Sequence, residues 1–178
     1  MKIRVIDITE KGKLLESSDD VAKYPTLLEA QIAGECSFTS PLAVSLSLVK
    51  EYDHIKLNGS VAVSVTLSCS RCLVSFAKDL LSTFTIYYTQ STETSADEDE
   101  VELGEGDLIS ASYSGDEIDF SDEIAQQVLL ELPYKPLCSD GCKGLCPSCG
   151  IDLNSAECSC SNAQSLAFSP LQGFKVNK

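Results

Sequence analysis

Eight of the nine cysteines fall in four close couples: Cys69/Cys72, Cys138/Cys142, Cys146/Cys149 and Cys158/Cys160. A thiolate is a soft anionic donor, and two of them on one short loop can face the same metal ion. A tetrahedral structural zinc site takes four such ligands, so four couples predict two sites. Two couples have the form of knuckles. Cys69-Ser-Arg-Cys72 runs straight into Leu73, and Cys146-Pro-Ser-Cys149 is followed by Gly150. Cys36 stands alone after Gly34-Glu35 and reads as a small buried hydrophobe.

Two partitions of the thiols are open. In one, Cys146/Cys149 and Cys158/Cys160 close a local finger while Cys138/Cys142 reaches back to Cys69/Cys72. In the other, the cysteines at 138, 142, 146 and 149 bind together and leave 158/160 for the first knuckle. The short loop between Cys149 and Cys158 has little closure entropy to overcome, which favours the first. It leaves room for a turn through Leu153 and Asn154. Arg71 and Lys143 lie within the knuckles, where they can offset thiolate charge.

The elements that must position these thiols show mostly a period of two. Leu42, Val44, Leu46 and Leu48 alternate with smaller residues, and so do Val61, Val63, Val65 and Leu67. Asn58-Gly59 stands between the two runs as a turn signal. Leu80, Ser82, Phe84, Ile86 and Tyr88 continue the alternation beyond the first knuckle. These are half-buried antiparallel strands. The amino-terminal Met-Lys-Ile-Arg-Val-Ile-Asp reads as a first strand, since Asp7 interrupts it before a signal-peptide core could form. A helix is predicted over about 120–132. Asp119 or Ser121 can cap it, Ile124, Val128, Leu129 and Leu132 form its inner face, and Pro133 ends it.

The formal net charge is −14, and its distribution is uneven. Fifteen of the 27 acidic residues lie between Lys78 and Lys135, a stretch without Lys or Arg, while the remainder is near neutral. Such a chain repels bare phosphate backbone over most of its surface. Residues 91–107 read as a solvated acidic loop, either without a specific partner or as a lure for a basic surface. No run reaches the ~18 apolar residues of a membrane span. The expectation is a cytoplasmic protein whose thiols stay reduced and available to metal.

With these stretches in hand, the chain resembles the YceD family of bacterial proteins, which has plant organelle relatives and is associated with accumulation of large-subunit ribosomal RNA. The resemblance rests on Cys69-Ser-Arg-Cys72-Leu73, Glu117-Ile-Asp-Phe-Ser-Asp-Glu and Val128-Leu-Leu-Glu-Leu-Pro133. It rests equally on Cys142-Lys-Gly-Leu-Cys-Pro-Ser-Cys-Gly-Ile-Asp-Leu-Asn154 followed by Cys158-Ser-Cys160. Leu166-Ala-Phe-Ser-Pro-Leu171 is similar to the family's ending. The resemblance implies a role in ribosome biogenesis, and it supplies no chemistry.

Rival chemistries fit less well. A thiol–disulfide exchange couple is activated at a helix amino terminus, whereas Cys69/Cys72 lies between strands. Hydrolytic zinc chemistry needs an open ligand position and a general base, and His54, in a hairpin-like stretch, is the only histidine. A nucleic-acid-binding zinc ribbon carries basic and aromatic residues about its knuckles, but Lys143 is the only base between Cys138 and Cys160. RNA contact is thus limited to a few residues such as Arg71, Lys143 and Lys175.

The expected molecule is an α+β protein. An antiparallel β-sheet or partly open barrel with one packed helix occupies 1–136, a Cys-rich zinc module 137–161, and a C-terminal tail 162–178 that could dock through Leu166, Phe168 and Leu171. Two structural zinc ions are its cofactors. Its expected task is non-catalytic, with neither membrane nor small-molecule substrate, and its partner a basic ribosomal protein or pre-ribosomal particle of the large subunit.

Overall fold

Alternation becomes sheet in the computed structural model, which describes residues 1–91 and 110–160. Most of the acidic stretch 91–107, and the tail with Leu166, Phe168, Leu171 and Lys175, lie outside the described residues. In chain order the elements are β1 (Lys2–Arg4), β2 (Lys13–Asp19), α1 (Pro25–Ile32), β3 (Ser37–Phe38), β4 (Leu42–Glu51) and β5 (His54–Ser68). There follow β6 (Ser75–Gln90), β7 (Ser110–Tyr113), β8 (Glu117–Asp119) and α2 (Ser121–Leu130). Contacts divide the chain into two compact units. Among the described residues, one is Met1–Leu67 with Phe76–Tyr134; the other is Ser68–Ser75 with 135–160.

The first unit is built on a sheet of order β2-β4-β5-β6-β7, with β3 also on β5, while β1 and β8 form a separate antiparallel pair. The apolar residues picked out by the period of two all face one way. Leu42, Leu46, Leu48 and Val65 are fully buried, and Val44, Val61, Val63 and Leu67 nearly so; Leu57, which the pattern did not single out, joins them. Each such side chain contributes about 1.5–3 kcal/mol relative to exposure. Ile124, Ala125 and Val128 of α2 and Leu27 of α1 complete the same core. Ser45, Ser47, Ser60, Ser64 and Thr66 occupy the other, more open face.

Four expectations change. The sheet is mixed, not wholly antiparallel, because β6 and β7 pair in parallel, Tyr87 opposite Ser110. The sequence between them exceeds the dozen or so residues a parallel crossover needs. Among the described residues the sheet is open, with β2 and β7 at its ends, so it does not close into a barrel. Among the described residues there are two α-helices instead of one. The extra one, α1, has only eight residues and begins at Pro25, whose fixed φ suits a first helical position.

The fourth change concerns Asn58-Gly59, which is strand and not turn: Asn58 pairs with Ser47 and Gly59 with Leu46. The hairpin turns instead at Tyr52 and Asp53, where Tyr52 takes a positive φ of 43°. Gly59 is needed for packing. A Cβ there would meet the Phe84 ring at 2.3 Å, so the missing side chain is the space the ring occupies.

The helix α2 runs Ser121–Leu130, inside the expected 120–132. Asp119 accepts from the Ser121 N–H at 3.1 Å, and Asp122 and Glu123 stand in the first turn. No helix among the described residues is long and apolar enough to cross a membrane.

Candidate metal centres

The second unit gathers the thiols. The strand β5 ends at Ser68 and β6 begins at Ser75, and the residues between them form the first knuckle. Leu73 N–H donates to the Cys69 carbonyl at 2.9 Å, and Leu73 takes φ 62°. The second knuckle repeats this backbone: Gly150 N–H donates to the Cys146 carbonyl at 2.9 Å, with Gly150 at φ 73°. The residue after Cys-x-x-Cys must be left-handed in both, a conformation glycine adopts freely and leucine does not.

Two backbone bonds fix the first knuckle to the later chain. Ser70 N–H donates to the Pro136 carbonyl at 2.8 Å, and Leu145 N–H to the Arg71 carbonyl at 3.1 Å. Gly144 permits the close approach, since a Cβ there would lie 3.1 Å from the Arg71 carbonyl oxygen. The Arg71 guanidinium turns inward and donates to the Cys142 carbonyl at 2.8 Å. Arg71 is therefore a clamp between segments, a role that neither the charge-offset nor the partner-contact reading foresaw.

The thiols assemble into two groups. Cys69, Cys72, Cys138 and Cys142 form one, and Cys146, Cys149, Cys158 and Cys160 the other, with all sulfurs in a group within 4.8 Å of one another. This is the partition with a local finger and one long-range set. Cys69 and Cys142 sulfurs are 3.8 Å apart, and those of Cys72 and Cys138 are 3.6 Å apart. Four sulfurs on a tetrahedral ion at bonds near 2.3 Å stand about 3.8 Å from one another. The spacing fits such an ion and is far beyond a disulfide bond. Either group could hold a metal ion. Cys36 is buried in the sheet unit, and burial pushes its thiol up, as an inert core residue requires.

The electrostatics favour a cation in each group. The Cys69 thiol is lowered to about 6, first by the backbone N–H of Cys72, with those of Cys138 and Arg71 adding to it. The Cys146 thiol is likewise lowered to about 6, first by the backbone N–H of Cys149 and then by that of Ser148. Once these are anionic, their neighbours resist ionising. Cys160 is pushed up to about 12, chiefly by Cys149. At Cys72 the Val74 N–H works the other way, but burial and the thiols of Cys69, Cys138 and Cys142 push it to about 12. A divalent ion would remove that repulsion and let all four thiolates form.

The groups differ in shelter. In the first, only Cys138 is exposed; in the second, Cys149 and Cys160 are exposed and Cys158 half-buried. Asn154 lies between them. Its Nδ2 donates to the Cys142 sulfur at 3.4 Å, and its Oδ1 accepts from the Lys143 N–H at 2.8 Å. Composition gave no sign of this contact, because an asparagine in a turn is ordinary. His54 is at the β4–β5 hairpin, its ring between Asp53 and Glu51, away from either group in sequence and in element.

The family model for the large ribosomal RNA subunit accumulation protein YceD matches residues 57–175, which include all eight clustered cysteines. The chain belongs to the YceD family. This YceD-family chain is 29% identical over 143 residues to an Arabidopsis thaliana protein named large ribosomal RNA subunit accumulation protein YCED homolog 1, chloroplastic. That match covers 68% of the chain and 44% of the relative. The Zea mays protein of the same name is 27% identical over 160 residues, covering 75% and 53%. An uncharacterized protein of Mycobacterium tuberculosis (strain ATCC 25618 / H37Rv) is 31% identical over 117 residues, covering 64% and 52%. The chain thus spans about half the length of the relatives it matches. No solved structure gives a significant match. The YceD family is implicated in accumulation of the large ribosomal RNA subunit.

Proposed function

We propose that this chain is a non-catalytic, zinc-binding factor in ribosome biogenesis that supports accumulation of large-subunit ribosomal RNA. The family match over residues 57–175 carries this reading. Cys69, Cys72, Cys138 and Cys142 would hold one zinc ion, and Cys146, Cys149, Cys158 and Cys160 the other. Zinc at these positions supplies a structural cross-link: it ties the first knuckle to residues more than sixty positions away. The gathering of thiols four by four supports a ligand set over a paired exchange couple.

The partner we propose is a basic ribosomal protein or a large-subunit assembly intermediate, held and not transformed. The concentration of acidic residues between Lys78 and Lys135 supports this choice. A reducing compartment such as the cytoplasm suits thiolate ligands.

Depletion of the protein tests the functional reading directly. Large-subunit rRNA should fall relative to small-subunit rRNA, and an unchanged ratio removes the proposal. Elemental analysis of protein purified without chelator should give about two zinc ions per chain; a value near zero ends the metal half. Capture of ribosomal proteins should weaken when the acids of 93–107 are neutralised. Turnover in an insulin-reduction assay would instead revive thiol exchange.

A further inference from the structure

Asn154 belongs by sequence to one four-thiol group and by contact to the other. It lies on the loop between Cys149 and Cys158, whose ends belong to the more exposed group. Yet its Nδ2 donates to the sulfur of Cys142, in the sheltered group, at 3.4 Å. The orientation of the amide is fixed by its partners. A backbone N–H, that of Lys143, can be given only to the oxygen, and the Asp152 carboxylate 2.7 Å from Nδ2 can only accept. The nitrogen must therefore point at the thiol.

The loop that carries Asn154 is itself laid along the segment between the two groups. Leu153 N–H donates to the Gly144 carbonyl at 2.9 Å, Cys146 N–H to the Ile151 carbonyl at 2.8 Å, and Leu145 bridges Asp152. We infer that Asn154 is a positioning residue coupling the two centres: closure of the Cys146/Cys149/Cys158/Cys160 group sets Asn154 against Cys142 and strengthens metal binding by the Cys69/Cys72/Cys138/Cys142 group.

A hydrogen bond to a metal-bound thiolate draws off part of its charge and holds its lone pairs in place. Removing such an outer partner lowers metal affinity by roughly 10–100-fold. Here the partner's placement depends on the other centre, so that factor becomes a coupling between sites, and linkage makes it reciprocal. Exposure gives it a direction in time. Exchange begins at Cys149, Cys158 and Cys160, and release of their loop withdraws the amide from Cys142.

The inference rests on both groups binding zinc, and the test separates the two claims. If wild-type chain holds about two ions, the metal reading stands. Zinc release from the full-length chain to excess chelator is then followed for wild type, Asn154→Ala, Asn154→Asp, Cys158→Ser/Cys160→Ser and the combination of the last pair with Asn154→Ala. The slow phase, that of the sheltered centre, should accelerate roughly 10–100-fold in Asn154→Ala. It should accelerate equally in Cys158→Ser/Cys160→Ser, and no further in the combined variant.

Asn154→Asp guards against a role confined to the turn. Aspartate keeps the oxygen that accepts from Lys143 but has no N–H for the sulfur and adds a charge beside it. Its acceleration should match or exceed that of alanine. In the cobalt-loaded chain, the thiolate-to-metal charge-transfer band should move to lower energy in Asn154→Ala. Wild-type release from Asn154→Asp, an unmoved band, or factors that multiply in the combined variant would each overturn the coupling.

Discussion

The Nη1 of Arg71 donates to the carbonyl oxygen of Cys142 at 2.8 Å, across an interval of 71 residues. It joins the first knuckle to the later cysteine segment without touching a sulfur. A charged hydrogen bond of this kind contributes about 1.5–3 kcal/mol. Arg71→Ala should lower the denaturation free energy of the zinc-loaded chain by that amount. Arg71→Lys should recover less than half, because an ammonium on a shorter stem lacks the guanidinium's fork. Full recovery by lysine would show that charge alone matters.

The two knuckles predict opposite responses at equivalent positions. Leu73 holds a left-handed backbone at φ 62°, and Gly150 holds the same backbone at φ 73°. A left-handed non-glycine residue costs roughly 1–2 kcal/mol. Gly150→Ala should therefore lose about 0.5–1 kcal/mol, since the smaller freedom of unfolded alanine offsets part of that cost. Leu73→Gly should gain about 0.5–1 kcal/mol, the remainder being offset by the greater freedom of unfolded glycine. Thermal melts of zinc-loaded protein would check both signs.

Metal uptake should follow the thiol protons. Cys69 and Cys146 are lowered to about 6, so each is already a thiolate at pH 7.5. Zinc addition to preorganised apo protein should then release fewer than four protons per ion. Affinity falls as pH falls, since protons compete for the same sulfurs, and the release should approach four per ion below pH 6. A pH-stat titration measures this count.

Asp19 offers a pH test in the sheet unit. It is buried and accepts from the Lys23 ammonium at 2.7 Å and from the Tyr24 hydroxyl and Ser17 hydroxyl at 3.0 Å each. The Lys23 contact leads in holding its carboxyl below the ordinary range, against the opposing effect of burial. A depressed folded value gives stability that is present above the unfolded value of about 3.9 and lost as pH falls through the folded one. Asp19→Asn should cost about 1–3 kcal/mol at neutral pH. The gap from wild type should narrow below about pH 4 in urea denaturation.

Gly59 should tolerate no side chain. Its would-be Cβ stands 2.3 Å from Phe84 Cζ, and overpacking of this sort costs about 1–3 kcal/mol. Gly59→Ala should lower the melting temperature, and adding Phe84→Leu should restore part of the loss. Were Gly59 a turn residue, the second change would not help.

That position also shows where the sequence was legible and where it was not. The period of two exposed the strands, because one buried face must be apolar at every second residue. It could not tell Asn58-Gly59 in a turn from Asn58-Gly59 in a strand, since the deciding neighbour, Phe84, is 25 residues away and reaches Gly59 only through the β5–β6 pairing. The thiol grouping was legible because a short loop closes a local finger cheaply. Arg71 and Asn154 were not, because each acts through one contact with the Cys142 residue that no spacing encodes. The parallel entry of β7 was hidden for a similar reason: Ser110–Tyr113 is four residues long, too few for a period to declare a direction.

The pairing of Cys72 with Cys138 also has a history written into it. The ribosome making this chain releases the first couple 66 residues before its counterpart. At ~5–20 residues per second, that interval lasts roughly 3–13 s. Through those seconds the nascent polypeptide carries an unmatched dithiol, open to oxidants and to stray ions. The later Cys138/Cys142 couple is what shuts it, so every molecule passes through a vulnerable infancy whose length is set by the speed of synthesis.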